Sequence, residues 1–216
     1  MNSDVKQILS ELIERYPVLK REEQNIIDAF ELICDSYDNS GKVLVCGNGG
    51  SAADSEHIVG ELMKGFLSKR ELNDNEKKMF EGIENADYIT ANLQGSMPAI
   101  SLTSQTSLLT AFSNDVAPDM IFAQQVWGYS KNTLDSLIAL STSGNSKNVV
   151  NAVKVASALG INSIGITGNS ESELSRLCTA CVLIPETETF KVQEITLPIY
   201  HAICAMIEKT YFNKGV

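Results

Sequence analysis

The 216 residues carry 27 acidic and 17 basic side chains, a formal charge of −10, with a pI near 4.7. Unaided binding to nucleic acid or anionic membranes is therefore not expected, since both need clustered Lys and Arg. With 44% hydrophobic and 20% charged residues and a mean hydropathy of −0.03, the chain can bury a sizeable core, does not read as disordered, and fits one globular domain over residues 1–216.

In chain order, Met1 to Lys6 lacks a basic start followed by an apolar run. No window reaches the roughly 18 apolar residues of a membrane span, so a cytoplasmic protein is expected. Val5, Ile8, Leu9, Leu12 and Ile13 recur at helical spacing, as do Ile26, Ile27, Phe30, Leu32, Ile33 and Tyr37 before Asn39-Ser40-Gly41. Two leading helices within residues 1–40 follow. Lys42 to Cys46 is a short apolar run ending in Gly47-Asn48-Gly49-Gly50-Ser51, with a helix-like stretch from Ala52 to Met63. That order predicts a strand buried on both faces, a glycine turn and a helix.

Residues 64–97 change to charged and polar character, with a surface helix expected around Glu76 to Glu81. This reads as an ordered excursion between two strands, either a lid over a site or a surface embellishment. Strands are expected at Ala99 to Thr103, Ser136 to Leu140, Ser163 to Ile166 and Cys181 to Ile184, with a helix from Val149 to Leu159. Alternating strand and helix predicts a parallel sheet with helices on both faces. A long closing helix should hold Ile199, Ile203, Met206, Ile207 and Tyr211, with Pro198 in or near its first turn or kinking it.

Of the five cysteines, only Cys178 and Cys181 have metal or redox spacing. With no second such pair and a strand-like run after it, packing is the expected role.

Two loops follow buried strands and open helices, on the carboxyl edge where folds of this kind bind ligands. Ser141-Thr142-Ser143-Gly144-Asn145-Ser146 offers four hydroxyls, an amide and helix N-terminal N–H groups, a neutral cradle suited to a phosphate monoester. An ordinary cap would need one serine. Neither loop carries the Gly-Lys-Ser/Thr of a nucleoside triphosphatase. The glycine loop lacks the third glycine of a dinucleotide fingerprint, and no acidic residue follows the next strand. Close backbone approach to a small substrate, with Asn48 and Ser51 donating, is the better use of that loop. His57 and Glu61 lie four apart and share one helix face, as a surface pair or as functional groups. His201, taken singly, reads as a core histidine satisfied by one hydrogen bond.

Cys46 to Asp54, Asn114-Asp115, Ser141 to Ser146 and Gln193-Glu194 together closely resemble the motifs of sugar isomerase (SIS) domain proteins, and among these the phosphoheptose isomerase family. The resemblance implies a three-layer αβα sandwich around a parallel, flavodoxin-like sheet, in a homotetramer with active sites at subunit contacts. It implies aldose–ketose isomerisation of sedoheptulose 7-phosphate and D-glycero-D-manno-heptose 7-phosphate through an enediol, feeding heptose synthesis for surface polysaccharide. By position, phosphate contacts fall on Ser141, Thr142, Ser143 and Ser146, and sugar contacts on Asn48, Gly49, Gly50, Ser51, Asn114, Asp115 and Gln193. The acid/base pair falls on Glu61 and His201. Zinc ligands, one ion per subunit, fall on His57, Glu61, Gln193 and His201. Thr196 and Phe190 depart from the family pattern. The alternatives are a non-catalytic SIS module that binds a sugar phosphate or a protein partner, and an SIS isomerase of another phosphosugar.

On one straight helix, Gln193 and His201 would lie about 12 Å apart at roughly 1.5 Å per residue, too far to share one zinc. Either Pro198 breaks the helix and folds Gln193 back, or the two serve one metal from different subunits, the expectation favoured here.

Overall fold

A computed structural model of the chain describes residues 1–130 and 134–212. Strands β1 (Val43–Cys46), β2 (Ala99–Ser101), β3 (Ser136–Leu140), β4 (Asn162–Gly168) and β5 (Ala180–Ile184) form a sheet in the order β2-β1-β3-β4-β5. Every neighbouring pair is parallel. This is the flavodoxin-like order, whose direction of winding reverses between β1 and β3.

Successive strand residues point to opposite faces, so each strand feeds two cores. Val43, Val45, Ile138, Leu140, Ile164 and Ile166 join one buried cluster. Leu44, Cys46, Leu137 and Ala139 join the other. Helices α1 (Ser3–Arg15), α2 (Glu23–Asp38), α3 (Gly50–Met63) and α10 (Thr189–Tyr211) cover the first face. Helices α6 (Thr106–Asp115), α7 (Ile121–Tyr129), α8 (Lys147–Ala158) and α9 (Glu173–Leu177) cover the second. The three-layer sandwich and the leading helices agree with the sequence pattern.

The excursion holds two short helices, α4 (Asp74–Lys78) and α5 (Ala86–Asn92), neither burying a residue. The second was not anticipated. Asn73 starts α4 with a capping box, its side chain taking the N–H groups of Asn75 and Glu76 while Glu76 takes the Asn73 N–H. The base of the excursion is anchored in the interior. Arg70 and Glu208 form an ion pair of 2.7 Å with side chains 0% and 2% exposed.

The closing helix corrects two expectations. It begins at Thr189, so Pro198 lies in its interior rather than near its first turn, and it runs unbroken to Tyr211. Pro198 deprives only the Glu194 carbonyl of a helical donor, and Glu194 is exposed, so water can take that place. Folding Gln193 back at Pro198 is thereby excluded.

Cys178 and Cys181 are free thiols packed against Gly165. Burial pushes them up to about 11 and about 12, which suits inert packing.

Candidate active site

A cleft of about 270 Å³ opens at the carboxyl edge between β1 and β3. Asn48, Gly49, Gly50 and Ser51 form one wall, Leu140, Ser141, Thr142 and Ser146 the other, and Thr189 and Gln193 the third. Three helices start here: α3 at Gly50, α8 just after Ser146, and α10 at Thr189. Their unpaired N-terminal N–H groups and dipoles give a neutral cleft a positive potential. Among the described residues, no charged side chain lines it.

Local conformation makes room for this. Gly49 has φ +57°, and a Cβ at Gly50 would come 2.4 Å from the Gln193 side-chain nitrogen. Gly144 has φ +65° and lies so close to Ser172 that a Cβ would sit 2.2 Å from its hydroxyl. Ser146 occupies the N-cap of α8 but makes no capping bond with its side chain. Its hydroxyl instead accepts from the Ser141 hydroxyl at 3.1 Å, so the capping explanation of this serine fails.

Other predicted residues take different places. Ser143 is exposed and does not line the cleft; its hydroxyl accepts the Asn145 N–H at 3.2 Å and shapes the turn. The Asn48 amide is paired reciprocally with that of Asn148, 2.8 Å in each direction, which ties the two loops together and leaves only its second N–H and lone pair for a sugar. Asn148 was missed by sequence reasoning, although it stands two residues beyond the serine loop. Asn114 and Asp115, at the end of α6, bond to each other at 2.8 Å and lie outside the cleft lining. Thr196 is buried with its hydroxyl on the Val192 carbonyl, and Phe190 is 55% exposed, so neither departure from the family pattern enters the cleft.

A second group lies along α3 and α10. Glu61 is 11 residues beyond Gly50, about 16 Å down the helix axis at roughly 1.5 Å per residue. Its side chain, 11% exposed, approaches His57 Nε2 at 3.1 Å through Oε1 and accepts from Lys64 Nζ at 3.1 Å through Oε2. The His57 and His201 rings meet edge to face at 5.0 Å. His201 Nε2 is buried with no hydrogen-bond partner among the described residues, against the expectation of a satisfied core histidine. Burial first, then His57, lowers the His201 pKa, with Glu61 opposing, so the ring is held neutral. Tyr200 Oη lies 2.9 Å from His57 Nδ1 and donates to Asp54 Oδ1 at 3.2 Å. Burial raises the Asp54 carboxyl, with the Tyr200 hydrogen bond and His57 opposing.

The zinc set does not converge within one chain. His57, Glu61 and His201 are chemically suited to the metal, and the orphaned His201 nitrogen is what a ligand would offer. Gln193, however, sits against Gly50, about 12 Å up the unbroken helix from His201 at roughly 1.5 Å per residue. Among the described residues, no three His, Cys, Asp or Glu side chains are grouped to hold a metal ion.

This sheet order, with a hydroxyl-lined cleft at the reversal point and carboxylate and imidazole groups on flanking helices, is the arrangement expected from the resemblance to the sugar isomerase class of α/β proteins. Residues 4–94 and 109–208 each match the SIS domain family, two segments sharing one sheet. The chain belongs to the phosphoheptose isomerase family of SIS-domain enzymes. It is 35% identical over 212 residues to the phosphoheptose isomerase of Clostridium acetobutylicum, covering 97% of this chain and 95% of that one. It is 35% identical over 181 residues to that of Aneurinibacillus thermoaerophilus, covering 83% and 79%. The fold is similar to phosphoheptose isomerase GmhA from Neisseria gonorrhoeae, with TM-score 0.69, 29% identity, and 95% and 94% of the chains covered. It is also similar to a phosphoheptose isomerase from Francisella tularensis, with TM-score 0.71, 25% identity, and 97% and 100% covered. Among the described residues, no helix is long and apolar enough to cross a membrane.

Proposed function

We propose that the chain interconverts sedoheptulose 7-phosphate and D-glycero-D-manno-heptose 7-phosphate. The observation that carries this is the cleft between β1 and β3, where three helix N-termini and the Ser141–Ser146 hydroxyl pair offer donors to a phosphate with no lysine among the described lining residues. The anchored phosphate orients the sugar, which turns proton transfer into a positioned, intramolecular event.

Glu61 and His201 share the proton transfer. A base removes the proton from the carbon beside the carbonyl, and its C–H electron pair becomes the enediol double bond as the carbonyl oxygen is protonated. Returning a proton to the neighbouring carbon, while the other enediol hydroxyl gives up its proton and becomes the new carbonyl, completes the interconversion. Buried Glu61 and neutral His201 have the chemistry for these roles.

The same separation that divides the cleft from Glu61 and His201 supports a site shared between subunits of a homo-oligomer, as a tetramer would provide. Zinc belongs to this proposal as one ion per subunit on His57, Glu61, Gln193 and His201, a set that the described residues of a single chain leave ungrouped and that assembly with other copies would have to complete. Bound there, it would polarise the sugar carbonyl. The cytoplasm is the proposed compartment.

Replacing Glu61 by Gln and His201 by Ala tests the assignment. Each should lower kcat by about a hundredfold or more, the usual scale of general acid–base catalysis. Near-normal turnover in both variants would end it.

A further inference from the structure

We propose that Asn148 is a positioning residue that fixes which end of the Asn48 side-chain amide donates, and which accepts, where Asn48 meets the phosphosugar. This rests on the reading of the cleft between β1 and β3 as the substrate site, and it adds a residue that lines no part of that cleft.

Asn48 is exposed on the glycine wall of the cleft, and Asn148 is half-buried in the first turn of α8, behind the serine wall. The two lie 100 positions apart and exchange two bonds of 2.8 Å, Asn48 Nδ2 to Asn148 Oδ1 and Asn148 Nδ2 to Asn48 Oδ1. Among the described residues, no other side-chain hydrogen bond joins residues 47–51 to residues 141–149. A reciprocal amide pair has no direction of its own, because turning both amides by half a turn swaps every nitrogen for an oxygen and keeps both bonds. A third bond removes that freedom. The Val149 backbone N–H donates to Asn148 Oδ1 at 3.0 Å, and an amide nitrogen has no lone pair with which to take its place. Asn48 must then turn its nitrogen toward Asn148 Oδ1. Val149 stands in the first turn of α8, and the helical bonding starts only with Val150 donating to the Ser146 carbonyl, so its N–H is one that the helix leaves free. The start of α8 thereby sets an amide on the opposite wall, through Asn148.

The orientation has a chemical consequence. A side-chain amide has two N–H groups and two acceptor lone pairs, and the reciprocal pair uses one of each, on the edge where oxygen and nitrogen lie side by side. An N–H is left at one end of the Asn48 amide and a lone pair at the other. A half-turn would exchange them, and a substrate oxygen seated on the N–H would then face a lone pair. Without Asn148, an exposed amide is free to make that turn, and substrate would have to select one orientation and hold it at an entropic cost. With Asn148 and Val149 in place the selection precedes binding. Asn148 touches no substrate atom, so its effect passes through Asn48.

The test joins a spectrum to a double-mutant cycle, both on the full chain. With asparagine labelled with 15N, the Asn48 side-chain signals are identified by their disappearance in Asn48→Ala. One of the two amide protons should be shifted downfield by its bond to Asn148, and Asn148→Ala should abolish that shift. By isothermal titration, Asn148→Ala should weaken binding of sedoheptulose 7-phosphate about fivefold or more, the equivalent of one hydrogen bond. Its kcat should stay within about twofold, since the bound geometry at the reacting carbons is unaltered. In the Asn48→Ala chain the same substitution should cost less than about twofold, because the residue through which Asn148 acts is gone. An Asn48 proton shift that survives Asn148→Ala, an unchanged affinity, or a fivefold penalty that persists in the Asn48→Ala chain would each overturn the proposal and leave the isomerase reading standing. Coupled penalties in a protein that binds the ketose but forms no aldose would overturn the isomerase reading and leave the positioning role standing.

Discussion

Ser141 and Ser146 approach each other across the mouth of the serine loop, one hydroxyl donating to the other at 3.1 Å, and neither is consumed as a helix cap. Their remaining capacity faces the cleft, whereas the Ser143 hydroxyl is engaged within the turn. Ser141→Ala and Ser146→Ala should each weaken phosphosugar binding by about 1 kcal/mol or more, the scale of a hydrogen bond to a charged group. Ser143→Ala should cost less. Isothermal titration with the phosphosugar separates the cases, and unchanged affinity in the first two variants would remove the cradle. The hydroxyl cluster was legible because it sits at the end of a buried strand, where composition alone names a ligand. Asn148, Asp54 and Tyr200 were not legible as a network. Their roles depend on which partners the fold brings within 3.2 Å, and those partners lie up to 146 positions apart.

At the scale of elements, the buried pair Arg70–Glu208 joins three pieces that sequence reading treated separately. Glu208, near the end of α10, accepts the N–H groups of Phe66, Leu67 and Ser68 at 2.7, 2.7 and 3.0 Å. Arg70 donates to the Leu62 and Glu61 carbonyls at 2.6 and 2.9 Å, closing the end of α3. The clasp fixes the helix end that carries Glu61. Burial alone would raise the Glu208 pKa, but the Phe66 and Leu67 N–H groups and Arg70 outweigh it and hold it below its ordinary 4.5. A folded value below the unfolded one contributes stability that is full above about pH 4.5 and fades as pH falls through the folded value. Glu208→Gln leaves Arg70 buried without its counterion and should cost about 3–5 kcal/mol at pH 7. Urea unfolding should show this deficit narrowing below pH 4.5. A deficit that stays constant into acid would contradict the clasp as the titrating unit.

Across the whole molecule, the sheet was readable because its strands are short apolar runs buried on both faces, followed by glycine or serine loops. The second helix of the excursion and the start of α10 were not, and for α10 the reason is that propensity does not show that Pro198 will be tolerated deep inside a helix. That one difference governs the assembly. With α10 unbroken, Gln193 belongs to the phosphate cleft and His201 to the Glu61 group, and one chain does not bring them together. Mixing inactive Gln193→Ala and His201→Ala chains should therefore regain activity, because some shared sites then hold both residues intact. No regained activity after verified subunit exchange would place the working site inside one chain.

Proton transfer between adjacent carbons of a heptose phosphate is the activity assigned to this acidic SIS-domain chain. Its most direct test is incubation with sedoheptulose 7-phosphate in deuterated water, followed by NMR. Formation of the aldose, with solvent deuterium entering at the carbons that exchange their protons through the enediol, is the predicted result. Tight binding of the ketose with neither aldose nor deuterium incorporation would contradict the claim and leave a sugar-phosphate binding module in its place.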